Sequence, residues 1–403
     1  MYTLEDLRQR PNPLAAHYSH FRVGERLLLT GHSHQAWPDV AREGLLAAFD
    51  DAAQWVDGKW DRAFAQAEAV RTGFRRLLDD PTGHIALCAS THDGLIRFLS
   101  ALPLRERPAL LTTDGEFHSL RRQLARLAEE GVEVTRVPAL PAATLVERLV
   151  QQLQFRSDQT AAVLVSTVSF GRSHIVPNLT ALQEACDDAG AVLFLDAYHH
   201  LGVVPFSVNG WRLDNAFITG GGYKYCQLGE GNCFLRFPAR TTLRPVVTGW
   251  FAEFGLLPSA GDATVVPYPD GPDRFAGASY DPSSHYRGAA VFDFFARQQL
   301  TVDLLRQVSQ HQMGRLVAGF DALDLDPTLI SRDPSVPLPA LGGFLALQSP
   351  RASDLVAALR GQGVSSDARG DFLRLGPAPY LCDAQIDASL STLERVCRAL
   401  QRG

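Results

Sequence analysis

Ile218-Thr219-Gly220-Gly221-Gly222-Tyr223-Lys224-Tyr225, with Gly229-Glu230-Gly231 close behind it, sets a lysine just past a run of glycines. Glycine has no Cβ, so the backbone here can approach a ligand closely while the lysine side chain projects into a cleft. Lysine is scarce in this chain, whose 38 basic residues are Lys59, Lys224 and 36 arginines. Lys59 lies in the polar break Asp57-Gly58-Lys59 beside Trp60, which reads as a solvated side chain or one laying its stem along the ring. A surface lysine is the ordinary case. Lys224, held in a glycine-rich apolar segment, points instead to Schiff-base chemistry with a carbonyl compound.

Outward from that stretch, short apolar runs alternate with amphipathic ones. Residues 109–111, 161–165 and 191–195 read as strands, and 120–130 and 179–189 as helices. Such alternation implies a mostly parallel sheet wrapped by helices, an α/β fold. Residues 38–78 read as two covering helices interrupted near Asp57 and Gly58. From about residue 280 the pattern predicts a long helical stretch over 286–323, then the segment 342–347, a helix near 353–362, a short strand at 372–375 and a final helix, the outline of a smaller α+β domain. The Pro- and Gly-rich segment 261–277, punctuated by aromatic residues, reads as a connection or an active-site flap.

Ligands in open α/β sheets gather at the carboxyl ends of the strands, so the polar residues just past the apolar runs are candidates for chemistry. Cys88-Ala89-Ser90-Thr91-His92-Asp93-Gly94 follows a strand and opens a helix, where free N–H groups and hydroxyls can hold a phosphate; taken alone, a plain N-cap explains it. Asp114-Gly115-Glu116-Phe117-His118-Ser119 puts an aromatic ring at a loop tip, able to stack on a flat cofactor or to serve the core. The apolar run 191–195 ends in Asp196, ahead of Ala197-Tyr198-His199-His200. A partly desolvated carboxylate needs a partner, which a protonated pyridine nitrogen, a helix cap, or a metal held with His199 or His200 would each supply.

Composition narrows the function classes. A formal charge of -6 and a pI near 6.1, without a basic block, argue against a nucleic-acid partner. Residues 1–13 are charged and polar, and no stretch is long and apolar enough to span a bilayer, so a cytoplasmic chain without a membrane partner is expected. Cys88, Cys186, Cys226, Cys233, Cys382 and Cys397 lack paired metal-type spacing and read as reduced, buried thiols, with no metal expected.

Taken in order, a phosphate loop at Ser90-Thr91, a stacking ring at Phe117, an aspartate at a strand end and Tyr223-Lys224 before Gly-x-Gly resemble the aminotransferase class V enzymes of pyridoxal-phosphate fold type I. Within that group the likeness is to kynureninase. It rests on Tyr223-Lys224-Tyr225, Ser90-Thr91, Asp196 with His199, Gly249-Trp250-Phe251 and Arg374-Leu375-Gly376-Pro377-Ala378-Pro379, with a faint match at Leu29 and Gly31-His32-Ser33. The resemblance implies a homodimer with a mainly parallel seven-stranded sheet. Residues 46–285 would form the large cofactor domain, and 286–403 a small domain to which the segment 1–45 contributes. It implies pyridoxal 5'-phosphate bound covalently to Lys224, with Asp196 keeping the pyridine nitrogen protonated and so maintaining an electron sink. Phe117 would stack on the ring and His199 support it. Ser90, Thr91 and the Tyr223 hydroxyl would hold the phosphate, with Trp250 reaching across from a second subunit. Arg374 would clamp the α-carboxylate of an amino-acid substrate, and Tyr223 is a candidate proton donor.

The implied activity is hydrolytic cleavage of the Cβ–Cγ bond of kynurenine or a related γ-keto amino acid, giving alanine and an acid. Three departures weaken the case for kynurenine itself. His118-Ser119-Leu120 replaces the family's Pro, small hydroxyl residue and Asp; Gly31-His32-Ser33 replaces Gly-Asn-Ser; and Tyr380-Leu381-Cys382 replaces Tyr-Asn. The alternative is a class V aminotransferase or another β-lyase using the same Lys224, Asp196 and Arg374. Desulfurases of this group need a nucleophilic cysteine shortly before the arginine, and residues 342–373 contain none. Lys224→Ala is expected to abolish the cofactor's bound-state absorbance and all turnover while the fold persists; normal turnover in that variant would sink the assignment.

Overall fold

The structure, a computed structural model, describes residues 2–259 and 264–402. The start of the expected flap, residues 261–263, lies outside the described residues. Strands run in chain order as β1 (Leu27–Leu28), β2 (His84–Cys88), β3 (Ala109–Thr113), β4 (Glu133–Val137), β5 (Thr160–Ser166), β6 (Val192–Asp196), β7 (Phe217–Gly221), β8 (Cys233–Phe237), β9 (Leu345–Gln348), β10 (Val364–Ser365), β11 (Asp367–Arg369) and β12 (Phe372–Leu375). Strands β2 to β8 make one seven-stranded sheet, ordered β2-β8-β7-β6-β5-β3-β4. Only β8 runs against the rest, so the expected mainly parallel α/β sheet of fold type I is borne out.

Successive residues of a strand point to opposite faces, and here both faces are covered. Ile85, Leu111, Val163, Val165, Leu193, Leu195, Ile218 and Phe234 enter one apolar core. Their neighbours Ala86, Leu110, Ala162, Leu164, Phe194, Phe217, Cys233 and Leu235 enter another. That two-sided burial is why these strands read as unbroken apolar runs. β4 was not legible as a strand because it is the sheet's edge: Glu133 and Arg136 are exposed and the apolar run is missing.

A third core joins the two ends of the chain. Leu7, Leu14, Tyr18 and Val23 pack with Leu316, Leu355, Leu373, Ile386 and Leu393. β1 pairs in parallel with β10, and Thr30 bridges to Gly376. The long helix expected over 286–323 is two helices, Ser283–Arg297 and Val302–Ala322. Gln299 takes the left-handed conformation (φ 56°) between them, and the Thr301 side chain caps the second by accepting from the Leu304 N–H. Among the described residues, no helix is long and apolar enough to cross a membrane.

β8 carries a buried charge. Arg236 donates to Asp80 (2.7 Å) and to the carbonyls of Ala216 and Asp214 (2.7 and 2.8 Å), with both side chains essentially inaccessible. Removing one member leaves an uncompensated buried charge. Asp80→Ala is expected to lower unfolding free energy by about 3 kcal/mol or more in chemical denaturation; a loss below about 1 kcal/mol would show that water or another group replaces the carboxylate.

Candidate active site

The carboxyl ends of β2, β3, β5, β6 and β7 meet at one edge of the sheet, because these strands share a direction. A cavity of about 260 Å³ opens there. It brings together seven of the residues singled out in the sequence: Ser90, Thr91, Phe117, Asp196, His199, Tyr223 and Lys224. Trp250 lies outside it. Its ring is 45% exposed, stacks on Phe251 and donates from Nε1 to Ser279.

Lys224 is buried, with Nζ 4.3 Å from the Tyr198 ring centroid, 5.5 Å from that of Phe117 and 2.9 Å from His199 Nε2. The glycines before it are required by packing: a Cβ at Gly221 would stand 2.5 Å from Cys233 Sγ and 2.6 Å from the Tyr198 hydroxyl. Burial pulls the Lys224 ammonium down to about 7, against the opposing attraction of Asp196. Burial also drives His199 well below the usual imidazole range, so its ring is neutral. His199 Nδ1 has no protein partner.

Asp196 is half-buried at the end of β6, and desolvation raises its pKa. Its side chain accepts from the Tyr198 backbone N–H at 2.9 Å. Ser166 stands opposite Asp196 across β5 and β6, and its hydroxyl donates to Glu116 (2.6 Å), a buried carboxyl that burial pushes up to about 7. Ser90 does cap the helix Thr91–Ala101: its oxygen accepts from the Asp93 N–H while Asp93 accepts from the Ser90 N–H. The cap leaves the Ser90 O–H free to donate into the cavity, so capping and phosphate holding are compatible. The Tyr223 ring stacks on His34, and burial pushes its hydroxyl up to about 12, keeping it a proton donor.

Arg374, on β12, lies behind the cavity wall and is 3% exposed. Its Nε and Nη2 donate to Asp367 (2.9 and 2.6 Å), and Nη1 donates to the Phe170 carbonyl (2.6 Å). Asp367, Glu116, Ser166 and Tyr198 were not recognised in the sequence as parts of the site. For Asp367 a signal existed, since a turn at Gly370 sets it directly opposite Arg374 in a hairpin. His200, read as a possible metal ligand, instead bonds Thr167 and the Pro205 carbonyl. Among the described residues no group of three His, Cys, Asp or Glu is placed to hold a metal ion.

This donor set fits pyridoxal 5'-phosphate. A buried amine of lowered pKa suits its aldehyde, and the half-buried Asp196 carboxyl, which forms no ion pair among the described residues, suits its pyridinium. The aromatic wall at Phe117, the unpartnered His199 Nδ1 and the N-terminus of the helix Thr91–Ala101 suit its ring, hydroxyl and phosphate.

The fold is that of the aminotransferase class V, cysteine desulfurase-like pyridoxal-phosphate enzymes of fold type I. The solved structure of an apo cysteine desulfurase from Thermococcus onnurineus NA1 superposes with a TM-score of 0.78 over 99% of both chains at 16% identity. A C-DES variant with glycine covalently linked to its PLP cofactor superposes equally well, at 15% identity over 95% of this chain and 99% of that one. In sequence, the chain is similar to an uncharacterized aminotransferase, YcbU, of Bacillus subtilis (25% identity over 205 residues, 50% of this chain and 53% of that protein). It is also similar to the cysteine desulfurase IscS of Rickettsia rickettsii (26% over 165 residues, 40% and 38%). The matched stretches thus span about half or less of these relatives. No protein-family model matches the sequence.

Neutral amine is the form that condenses with an aldehyde. The apo protein should therefore take up pyridoxal phosphate at a rate that climbs through about pH 7 and levels off above it, followed by visible absorbance. A rate still climbing toward the ordinary lysine value of 10.5 would show that the amine is not desolvated.

Proposed function

We propose that the protein is a pyridoxal-phosphate enzyme acting on an amino acid, by transamination or β-elimination begun by removal of the Cα proton. The observation that carries this reading is Lys224, an amine poised near neutrality 2.9 Å from a neutral His199, in a cavity that also holds Asp196. When bound, the cofactor supplies an electron sink for charge developing at the substrate's Cα. Asp196 holds the proton on the pyridine nitrogen, Phe117 orients the ring, and Ser90, Thr91 and the Tyr223 hydroxyl hold the phosphate. Lys224 takes the proton from Cα and returns it. Arg374 receives the α-carboxylate, and Tyr223 protonates a departing group.

Cysteine desulfuration fits this chain poorly despite the relatives. No cysteine stands in residues 342–373, all six thiols are buried, and burial pushes Cys233, which lines the cavity, up to about 12. Kynureninase-type hydrolysis remains a second reading because of Gly249-Trp250-Phe251 and the Arg374–Pro379 motif. None of the relatives named above is a kynureninase, and the comparisons lend that activity no support. A homodimer is part of the proposal: Trp250, Val246 and Val247 expose apolar surface, consistent with the resemblance's second-subunit role for Trp250. So is the division into 1–45 with 286–403 and 46–285, which the shared core of the two chain ends supports.

The test mixes cofactor-loaded protein with L-amino acids, β-substituted cysteines and L-kynurenine. Conversion of the cofactor to its amine form, reversed by a keto acid, marks an aminotransferase; release of pyruvate and ammonia marks a β-lyase. Equal release of alanine and an aromatic acid would move the assignment to the hydrolase. Failure to bind the cofactor through Lys224 overturns the proposal altogether.

A further inference from the structure

Arg374 is not free to choose its orientation. β11 and β12 form an antiparallel hairpin in which Asp367 pairs directly with Arg374. The Asp367 carboxylate takes the side-on fork of the guanidinium, Nε at 2.9 Å and Nη2 at 2.6 Å. Burial alone would raise the Asp367 pKa, but hydrogen bonds from His32 and Arg374 hold it well below the usual carboxylate range, so the carboxylate is ionised.

A second group fixes Asp367 in turn. His32 Nε2 bonds Asp367 Oδ1 at 2.8 Å, and the His32 side chain is fully buried against the Phe344 ring. The backbone clamps it there: Gly31 N–H donates to the Gly376 carbonyl (2.7 Å) and Gly376 N–H to the Leu29 carbonyl (2.8 Å). A Cβ at Gly376 would stand 2.3 Å from His32 Nδ1. The N-terminal segment therefore delivers an imidazole to the partner of the C-terminal arginine.

A guanidinium has five N–H groups. Two are used by Asp367 and one by the carbonyl of Phe170, which lines the Lys224 cavity. Two N–H groups remain, one on each terminal nitrogen. We propose that Asp367 and His32 are positioning residues that hold Arg374 so that these two remaining N–H groups receive a single α-carboxylate end-on, restricting the site to α-amino acids. The inference rests on the proposed function and deepens it, because neither Asp367 nor His32 lines the cavity itself.

The test compares cofactor-loaded wild type, Asp367→Asn, His32→Phe and His32→Gln. Apparent dissociation constants are read from the cofactor spectrum for L-alanine and for ethylamine, which lacks the carboxylate. Asp367→Asn is expected to weaken L-alanine about tenfold or more and leave ethylamine unchanged, because the charge-assisted fork holding the guanidinium is lost. His32→Phe should weaken L-alanine selectively, and His32→Gln, which keeps a donor toward Asp367, should restore most of the affinity. Unchanged L-alanine affinity, tighter L-alanine binding in Asp367→Asn, or equal weakening of both ligands would each overturn the assignment. Wild type whose cofactor responds to neither ligand would overturn it as well. Wild type that acquires no Lys224-dependent cofactor colour would instead overturn the proposed function beneath it.

Discussion

A buried lysine amine and a half-buried aspartate carboxylate share one edge of a mostly parallel sheet, and much else in this molecule follows from that. A buried ion without a partner costs several kcal/mol even after relaxation. Lys224 relieves the cost by giving up its proton more readily, down to about 7, and Asp196 by holding one more readily. Each group feels the other's charge, but among the described residues neither forms an ion pair. A flat molecule with an aldehyde at one end of its ring and a basic nitrogen at the other would satisfy both, and the aromatic wall at Phe117 is placed for such a ring.

The sheet makes that juxtaposition possible. Strands β5, β6 and β7 are parallel neighbours, so their carboxyl ends present Ser166, Asp196 and the approach to Lys224 side by side. Packing enforces the glycines around the end of β7: Leu201 crowds Gly220, Cys233 and Tyr198 crowd Gly221, and Leu228 crowds Gly222. Further out, the site depends on both ends of the chain. His32 comes from the N-terminal segment and Asp367 and Arg374 from the C-terminal hairpin, joined by backbone bonds around Gly376. The core shared by Leu14, Tyr18, Leu373 and Ile386 keeps these distant segments in register.

The legible parts of the fold were those governed by local periodicity. Strands buried on both faces left apolar runs, and the helices around Asp57 and Gly58 left an amphipathic pattern broken by a turn. Polar edge strand β4 left neither, because one side of it meets solvent and no partner strand. The helix break at Gln299 was hidden because a single left-handed residue leaves the apolar spacing on either side intact, although Thr301 offered a cap. Ser90 caps the helix Thr91–Ala101 and also lines the cavity, so the local cap signal did not by itself separate the two readings.

By itself, the sequence determined which residue types stand where ligands gather: an almost lysine-free chain keeps Lys224 behind glycines, with Asp196, Phe117 and Ser90-Thr91 each just past an apolar run, so that an amine, an acid, a ring and hydroxyls at a helix start are legible. Those are properties of residues and their neighbours, which local spacing records. Only the tertiary structure decided which groups confront one another across the fold. It joined His32 to the Asp367 carboxylate that holds Arg374, set Glu116 near Asp196 and left Trp250 outside the cavity. Apart from the short hairpin pair Asp367–Arg374, these contacts join residues tens to hundreds of positions apart, and they arise when strand register and burial bring distant segments together, which local spacing does not encode.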